Sequence, residues 1–402
     1  MLELEAALRR VLAAVPAPRS ESVRLSDAAG RVLAQQVCSP VDLPVFDNSA
    51  MDGYAVRAAD VVSATPHSPV RLRLAGKVLA GEVFADTVKP GCCVRLFTGS
   101  PLPAGTNAVV MQEDTRVDSS TPGEVLILGP VSPEANVRSR GEDVRRGSTL
   151  VKAGEVLSLG RIGLLAAAGQ ARVQVARQPI VGLVATGSEL TEPGQSLAPG
   201  RIYDSNRTML AGLTQRVGAV AKTYPLLKDS LARISRVLAK AFEQCDAVVT
   251  SGGVSVGETD FLQRAFENIG GEVEFWKVAM RPGRPFVFGC CQRKPLFGLP
   301  GNPVSALVTF LLLVRPALLR WQGATSVALP SHPGVLAESL ANQGERRHFV
   351  RVNVDAQGRV QSAGAQASHA LSSMAAANGL VDVPAHSTLA AGTVVPVLRW
   401  ET

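Results

Sequence analysis

From residue 179 to about residue 319 the sequence alternates short apolar runs with stretches of helical period, and that alternation admits few folds. PIVGLVAT (179–186), AVAKTY (219–224), DAVVT (246–250), EVEFWKVA (272–279) and FVFG (286–289) read as strands. Residues 205–217, 229–244, 259–269 and 303–319 read as helices. The alternation predicts a three-layer α/β unit, a mainly parallel sheet covered by helices on both faces. In such sheets ligands bind beyond the carboxyl ends of the strands. Four Gly/Pro turns fall there: ATGSEL (185–190), TSGGVSVGETDF (250–261), RPGRP (281–285) and GLPGNPVSA (298–306).

In TSGGVSVGETDF, Gly252, Gly253 and Gly257 let backbone N–H groups crowd around an anion, and the start of the next helix adds partial positive charge. The loop reads as a phosphate cradle, although any sharp strand-to-helix turn also asks for glycine.

Ahead of this unit, Leu2, Leu4, Ala7, Leu8, Val11 and Leu12 recur at helical spacing until Pro16 and Pro18 end the pattern. A short helix near 26–29 and a strand over 32–37 follow. SPVDLPVFDNSAMDGYAVR (39–57) reads as a long irregular loop carrying Asp42, Asp47, Asn48, Ser49 and Asp52, with Phe46, Met51 and Tyr54 interleaved so that it packs and aims its acids. Residues 70–128 turn to short alternating strands, VRLRLAGKVL, CCVRLFTG, NAVVMQE and EVLIL, and Thr98 sits in a turn between them. A turn hydroxyl most often caps its own backbone. Helical pattern returns at RIGLLAAAG (161–169), so the β domain (41–139) is inserted in an N-terminal α+β domain (1–40 and 140–176). The α/β domain spans 177–326, and a C-terminal β domain (327–402) closes the chain.

Composition removes several classes. Of 402 residues, 46% are hydrophobic and 19% charged, which suits a globular chain with a sizeable core. The net charge of +7 suits small anionic ligands, and no basic block marks a nucleic-acid surface. Six cysteines, four of them in two vicinal pairs, show neither disulfide nor zinc spacing, so buried reduced thiols are expected. Glu3 and Glu5 stand where a signal peptide would be basic, and the apolar run 304–314 is too short to span a bilayer. A soluble, cytoplasmic protein without a membrane partner is expected.

Taken together, FDNSAMDGYAVR, FTGSPLPAGTNAVVMQED, NVRSRGEDV, ATGSEL, TSGGVSVGETDF, FWKVAMRPGRP, GLPGNPVSA and SHALSSMAAANGL, in this order and nearly end to end, resemble the molybdopterin molybdenumtransferase family, which includes the E domain of gephyrin. The resemblance implies an elongated homodimer of four-domain subunits. It implies an enzyme that inserts molybdate into the dithiolene of adenylylated molybdopterin and releases AMP, with Mg²⁺ as cofactor. It further implies an active site between the α/β domain of one subunit and the β insertion of the other, and leaves room for a molybdopterin adenylyltransferase as partner. Catalytic positions matched by the resemblance are Asp52, Thr98, Asp143, Glu189, Asp229 and Asp260, with Glu189, Asp229 and Asp260 also holding the metal. Substrate-binding positions are Gly252, Gly253, Ser255, Lys277, Arg281, Arg284, Pro285, Ser305, Arg351 and Ser368. The family commonly has lysines where this chain has Arg281 and Arg284, and aspartate where it has Ser188. Arginine keeps the charge but offers a planar fork, and Ser188 removes one metal ligand.

These residue types suit the chemistry on their own terms. A molybdate dianion and a phosphate-bearing pterin need fixed cations and backbone donors to meet. Oxo groups leave as water once protonated, which carboxylates can assist, and Mg²⁺ at a phosphoanhydride takes carboxylate ligands. Two other readings compete. The α/β domain alone also resembles molybdopterin adenylyltransferases and amidohydrolases of the competence-damage type, which would leave the remaining domains without a task. A scaffold of the gephyrin kind would need no acid cluster.

Overall fold

The computed structural model describes residues 1–117, 121–253 and 261–400. Its central sheet has the spatial order Val220–Thr223, Ile180–Ala185, Ala247–Ser251, Lys294–Leu299, Val287–Cys291, Glu272–Trp276. The first four strands are parallel, and Val287–Cys291 runs against both of its neighbours.

Alternate residues of these strands enter two different cores. Val181, Leu183, Ala247, Val249, Phe297 and Leu299 meet Asn206–Arg216 and the helix beginning at Pro303. Val184, Val248 and Leu296 meet Leu231–Gln244 and Phe261–Asn268 on the opposite face. Apolar residues at every position are therefore needed, which explains the unbroken runs. The N-terminal helix Leu4–Ala13 sends Leu4, Ala7 and Val11 into the first of these cores.

Three sequence expectations change here. EVEFWKVA is not one strand: the backbone leaves the sheet after Trp276 through Lys277 at φ 74°, and Met280–Arg281 pairs in parallel with Arg347–Val354 of the C-terminal unit. Lys294–Leu299 is a strand that the sequence reading lacks. Its hairpin turns on Gln292 and Arg293, both at positive φ, without the Asn-Gly signal such turns favour. Finally, Pro303–Trp321 is long and apolar enough to cross a bilayer, contrary to the estimate from 304–314, yet 89% of its most apolar window is buried inside the protein. It is a core helix, with a π-helical turn at Phe310–Val314 just ahead of Pro316, whose missing N–H and bulky ring disturb the helical ladder.

The N-terminal unit joins residues from both sides of the insertion. Ser20–Arg24 pairs antiparallel with Arg172–Ala176, over a core of Leu25, Leu33, Val151, Leu157, Leu165 and Val173. The helix near 26–29 is a 3₁₀ turn, Leu25–Asp27, and the strand over 32–37 shrinks to bridges at Val32 and Leu33 and the pair Val37–Cys38.

The insertion is a six-stranded sheet in the order Ala108–Met111, Gly53–Val56, Cys92–Leu96, Val70–Val78, Glu124–Ile127, Thr115–Arg116. Its second strand overturns the irregular reading of 39–57: Gly53–Val56 is buried at all four positions and paired on both edges. Within that segment Tyr54 packs at 7% exposure, whereas Phe46 and Met51 stay about two-fifths exposed. In the C-terminal unit five strands close on themselves, with Arg347–Val354 pairing both Arg359–Ser362 and Gly379–Val383. All six cysteines are free thiols, but only Cys93, Cys245 and Cys291 are buried, and Cys38 is exposed.

Candidate active site

All four Gly/Pro turns emerge at one edge of the central sheet. Ile180–Ala185, Ala247–Ser251 and Lys294–Leu299 are parallel and in register, so ATGSEL, the glycine loop and GLPGNPVSA leave together. Glu272–Trp276 runs in the same direction as these three, because two antiparallel steps separate it from Lys294–Leu299. RPGRP therefore joins them.

Hydrogen bonds lock the turns to each other. Asn206 Nδ2 donates to Ser251 Oγ at 2.6 Å and to Gly301 O at 2.7 Å, and Asp204 in turn holds the Asn206 N–H at 3.0 Å. Asp204 is nearly fully buried and ion-paired with Arg207. Gly252 N–H donates to Leu299 O at 3.2 Å, so this one glycine donor is spent within the fold and is not free for an anion. Gly252 sits at φ 86°, and a Cβ there would meet Thr186 O at 2.4 Å; only glycine fits. Gly253 also has positive φ. Ser255, Gly257 and Asp260 lie outside the described residues.

Carboxylates gather at the first turn. Asp229 Oδ2 accepts the Ser188 N–H at 2.9 Å while the Asp229 N–H donates to Ser188 Oγ at 3.1 Å, a reciprocal clasp that places Asp229 beside the neighbour of Glu189. The Glu189 carboxylate lies over Gly187, where an added Cβ would meet both oxygens at 2.8 Å. Both acids are solvent-exposed. Arg201 donates to Ser188 O, one more fixed charge at this turn.

Cations gather at the other end of the edge. Arg281 and Arg284 are exposed, Pro285 and Lys277 half-buried, and Ser305 is buried on the helix Pro303–Thr309. Ser368 of the C-terminal unit reaches this edge: its Oγ accepts from Asn302 Nδ2 at 2.9 Å and its carbonyl from the Val304 N–H. Arg351 is fully buried, donating to Ala365 O, Ala367 O and Ser373 Oγ, and only its Nη1 lacks a partner. The fold thus uses Nε and Nη2 of this guanidinium and leaves Nη1 over. Arg346 and His348, which the sequence does not single out, lie beside these arginines. Arg346 Nη1 donates to Met280 O at 3.2 Å, while burial and then the charges of Arg284 and Arg281 lower its pKa. His348 is buried with Nε2 unpartnered. Burial, then the charges of Arg281 and Arg351, push its pKa down to about 4, so it is neutral near pH 7.

The remaining acids lie in or beside the insertion. Asp52 Oδ1 accepts both the backbone N–H and the hydroxyl of Thr98, each at 2.8 Å. These two bonds hold the exposed carboxyl below the usual aspartate range. Thr98 therefore serves Asp52 and not its own turn. Asp143 is exposed, anchored by its N–H to Leu43 O at 3.1 Å. Among the described residues no hydrogen bond or ion pair joins residues 41–139 to residues 177–326, so one chain does not bring Asp52 to the sheet edge through such contacts. Nor do the described residues contain a group of three or more His, Cys, Asp or Glu able to hold a metal ion.

Comparison with known families gives this arrangement a context. Residues 2–169 match the family model of the MoeA N-terminal region (domain I and II), 182–320 that of a "Probable molybdopterin binding domain", and 333–400 that of the MoeA C-terminal region (domain IV). The chain is 39% identical to a molybdopterin molybdenumtransferase of Haemophilus influenzae, over 94% of this chain and 93% of that protein. It is 41% identical to molybdopterin molybdenumtransferase 2 of Mycobacterium tuberculosis over 95% of each. A crystal structure of a molybdopterin biosynthesis MoeA protein from Pyrococcus horikoshii OT3 superposes over 100% of both chains with a TM-score of 0.85 at 30% identity. With matches spanning the N-terminal, central and C-terminal units alike, the chain belongs to the molybdopterin molybdenumtransferase family of enzymes.

Proposed function

We propose that this enzyme of molybdenum cofactor biosynthesis takes adenylylated molybdopterin and molybdate, inserts the metal into the dithiolene and releases AMP. The reading rests on one observation: one sheet edge carries Arg281 and Arg284, free of ion pairs among the described residues, toward one end and the exposed carboxylates Glu189 and Asp229 toward the other. Guanidiniums there would hold the molybdate dianion, with Ser305 and Ser368 beside them and Lys277 toward the pterin phosphate. Protons for the departing oxo groups would come from carboxylates or from bound waters within hydrogen-bond reach of the metal.

The magnesium expected from the family fits the donor set, since Glu189 and Asp229 offer hard oxygens. Mg²⁺ ordinarily takes one or two carboxylates, several waters and substrate phosphate in place of a protein cage. We assign it to these two, with Asp260 as a third ligand. When bound it would neutralise charge on the phosphoanhydride.

Asp52 with Thr98, and Asp143, would come from a second subunit. The half-exposed Phe46 and Met51, in the segment that leads to Asp52, would give such a dimer apolar surface to bury. The cytoplasm is the proposed compartment, with a molybdopterin adenylyltransferase as the natural supplier of substrate. The test is AMP release from adenylylated molybdopterin. Release that requires molybdate and yields metal-loaded pterin is expected. Release indifferent to molybdate would favour nucleotide transfer of the adenylyltransferase kind instead.

A further inference from the structure

Arg346 reaches the edge of the sheet from the loop ahead of Arg347–Val354, and its position is unusual for a cation. It is half-buried, it is tied to Met280 O, and two of the charges acting on it are the like charges of Arg284 and Arg281. One acid, Glu345, acts in the other sense. The next residue shows how this strand treats a structural arginine: Arg347 is paired with both Asp382 and Glu5. No described acid is ion-paired with Arg346. Gathering guanidiniums without ion-paired acids raises the free energy of the empty protein, and an anion offsets that cost.

His348 adds a second, independent sign. It pairs with Arg281 in parallel register, so the two side chains start from neighbouring strands toward the same face. The imidazole is 5% exposed, yet its Nε2 finds no partner. Buried polar atoms are nearly always satisfied, and an orphan beside an arginine cluster marks a place for a ligand atom. A tetrahedral oxyanion needs donors from more than one side, whereas Arg281 and Arg284 both come from RPGRP.

We propose that Arg346 and His348 complete the oxyanion pocket, Arg346 as a third guanidinium and His348 as an uncharged hydrogen-bond donor approaching from the C-terminal unit. This deepens the molybdate reading above and rests on it.

Calorimetric titration of molybdate into the full-length protein tests it. Arg346→Gln should weaken molybdate binding roughly ten- to a hundredfold, the usual loss for a charge-assisted contact, with adenylylated molybdopterin still bound normally. Arg346→Lys, which keeps the charge and can still reach Met280 O, should recover most of that loss. His348→Leu should weaken binding severalfold, and His348→Gln, which restores a donor, should recover it. Arg347→Gln should lower the melting temperature without changing molybdate affinity, since its partners are Glu5 and Asp382. Undiminished affinity in folded Arg346→Gln, with wild type binding normally, would overturn the inference and leave the molybdate reading standing. A wild type that binds no molybdate would overturn both.

Discussion

Asp52 owes its depressed pKa to Thr98, whose N–H and hydroxyl both stabilise the charged carboxylate. If ionised Asp52 is required, activity should persist as pH falls until that lowered pKa is crossed. Thr98→Val removes the hydroxyl bond, so the acid limb of the pH–rate profile should move to higher pH; an unmoved limb would release Asp52 from the reaction. His348 has the opposite chemistry with the same sign of stability change. Its folded pKa of about 4 lies below the ordinary 6.5, so the unfolded chain binds the proton first. Stability is complete above 6.5 and declines as pH falls toward 4. His348→Gln should flatten that decline in thermal melts. At the cationic end, Arg281→Ala and Arg284→Ala should each weaken molybdate binding about ten- to a hundredfold while sparing the pterin nucleotide.

Single elements show why some of this was readable and some was not. The runs at 180–185 and 247–251 announced buried strands because both of their faces meet helices, and the Gly/Pro turns ending them pointed to the edge where we propose the site. Gly53–Val56 escaped because prolines and polar residues surround it and burial at every position leaves no alternation. The break at Lys277 depends on one residue adopting a left-handed backbone conformation, for which lysine gives no signal. Asn206, and the roles proposed for Arg346 and His348, could not be recognised because they depend on neighbours far away in the chain. Asn206 is the clearest of these. It fastens two turns through Ser251 and Gly301, so Asn206→Ala should cost about 1–3 kcal/mol in urea unfolding, the usual penalty for abandoning buried partners. A cost within experimental error would mean that the turns hold each other without it.

At the scale of the whole molecule the acids fall into two groups. Glu189 and Asp229 stand on the sheet edge, while Asp52 stands on the insertion with no hydrogen bond or ion pair between the two units among the described residues. Two subunits whose insertions reach each other's sheets would unite the groups. The most direct measurement of that claim mixes two inactive variants, Asp52→Asn and Glu189→Gln, under conditions of proven subunit exchange, and follows molybdate-dependent AMP release. Heterodimers would carry one intact site and one doubly defective site, so partial recovery of activity is predicted. Full exchange without any recovery would contradict a site built from two chains.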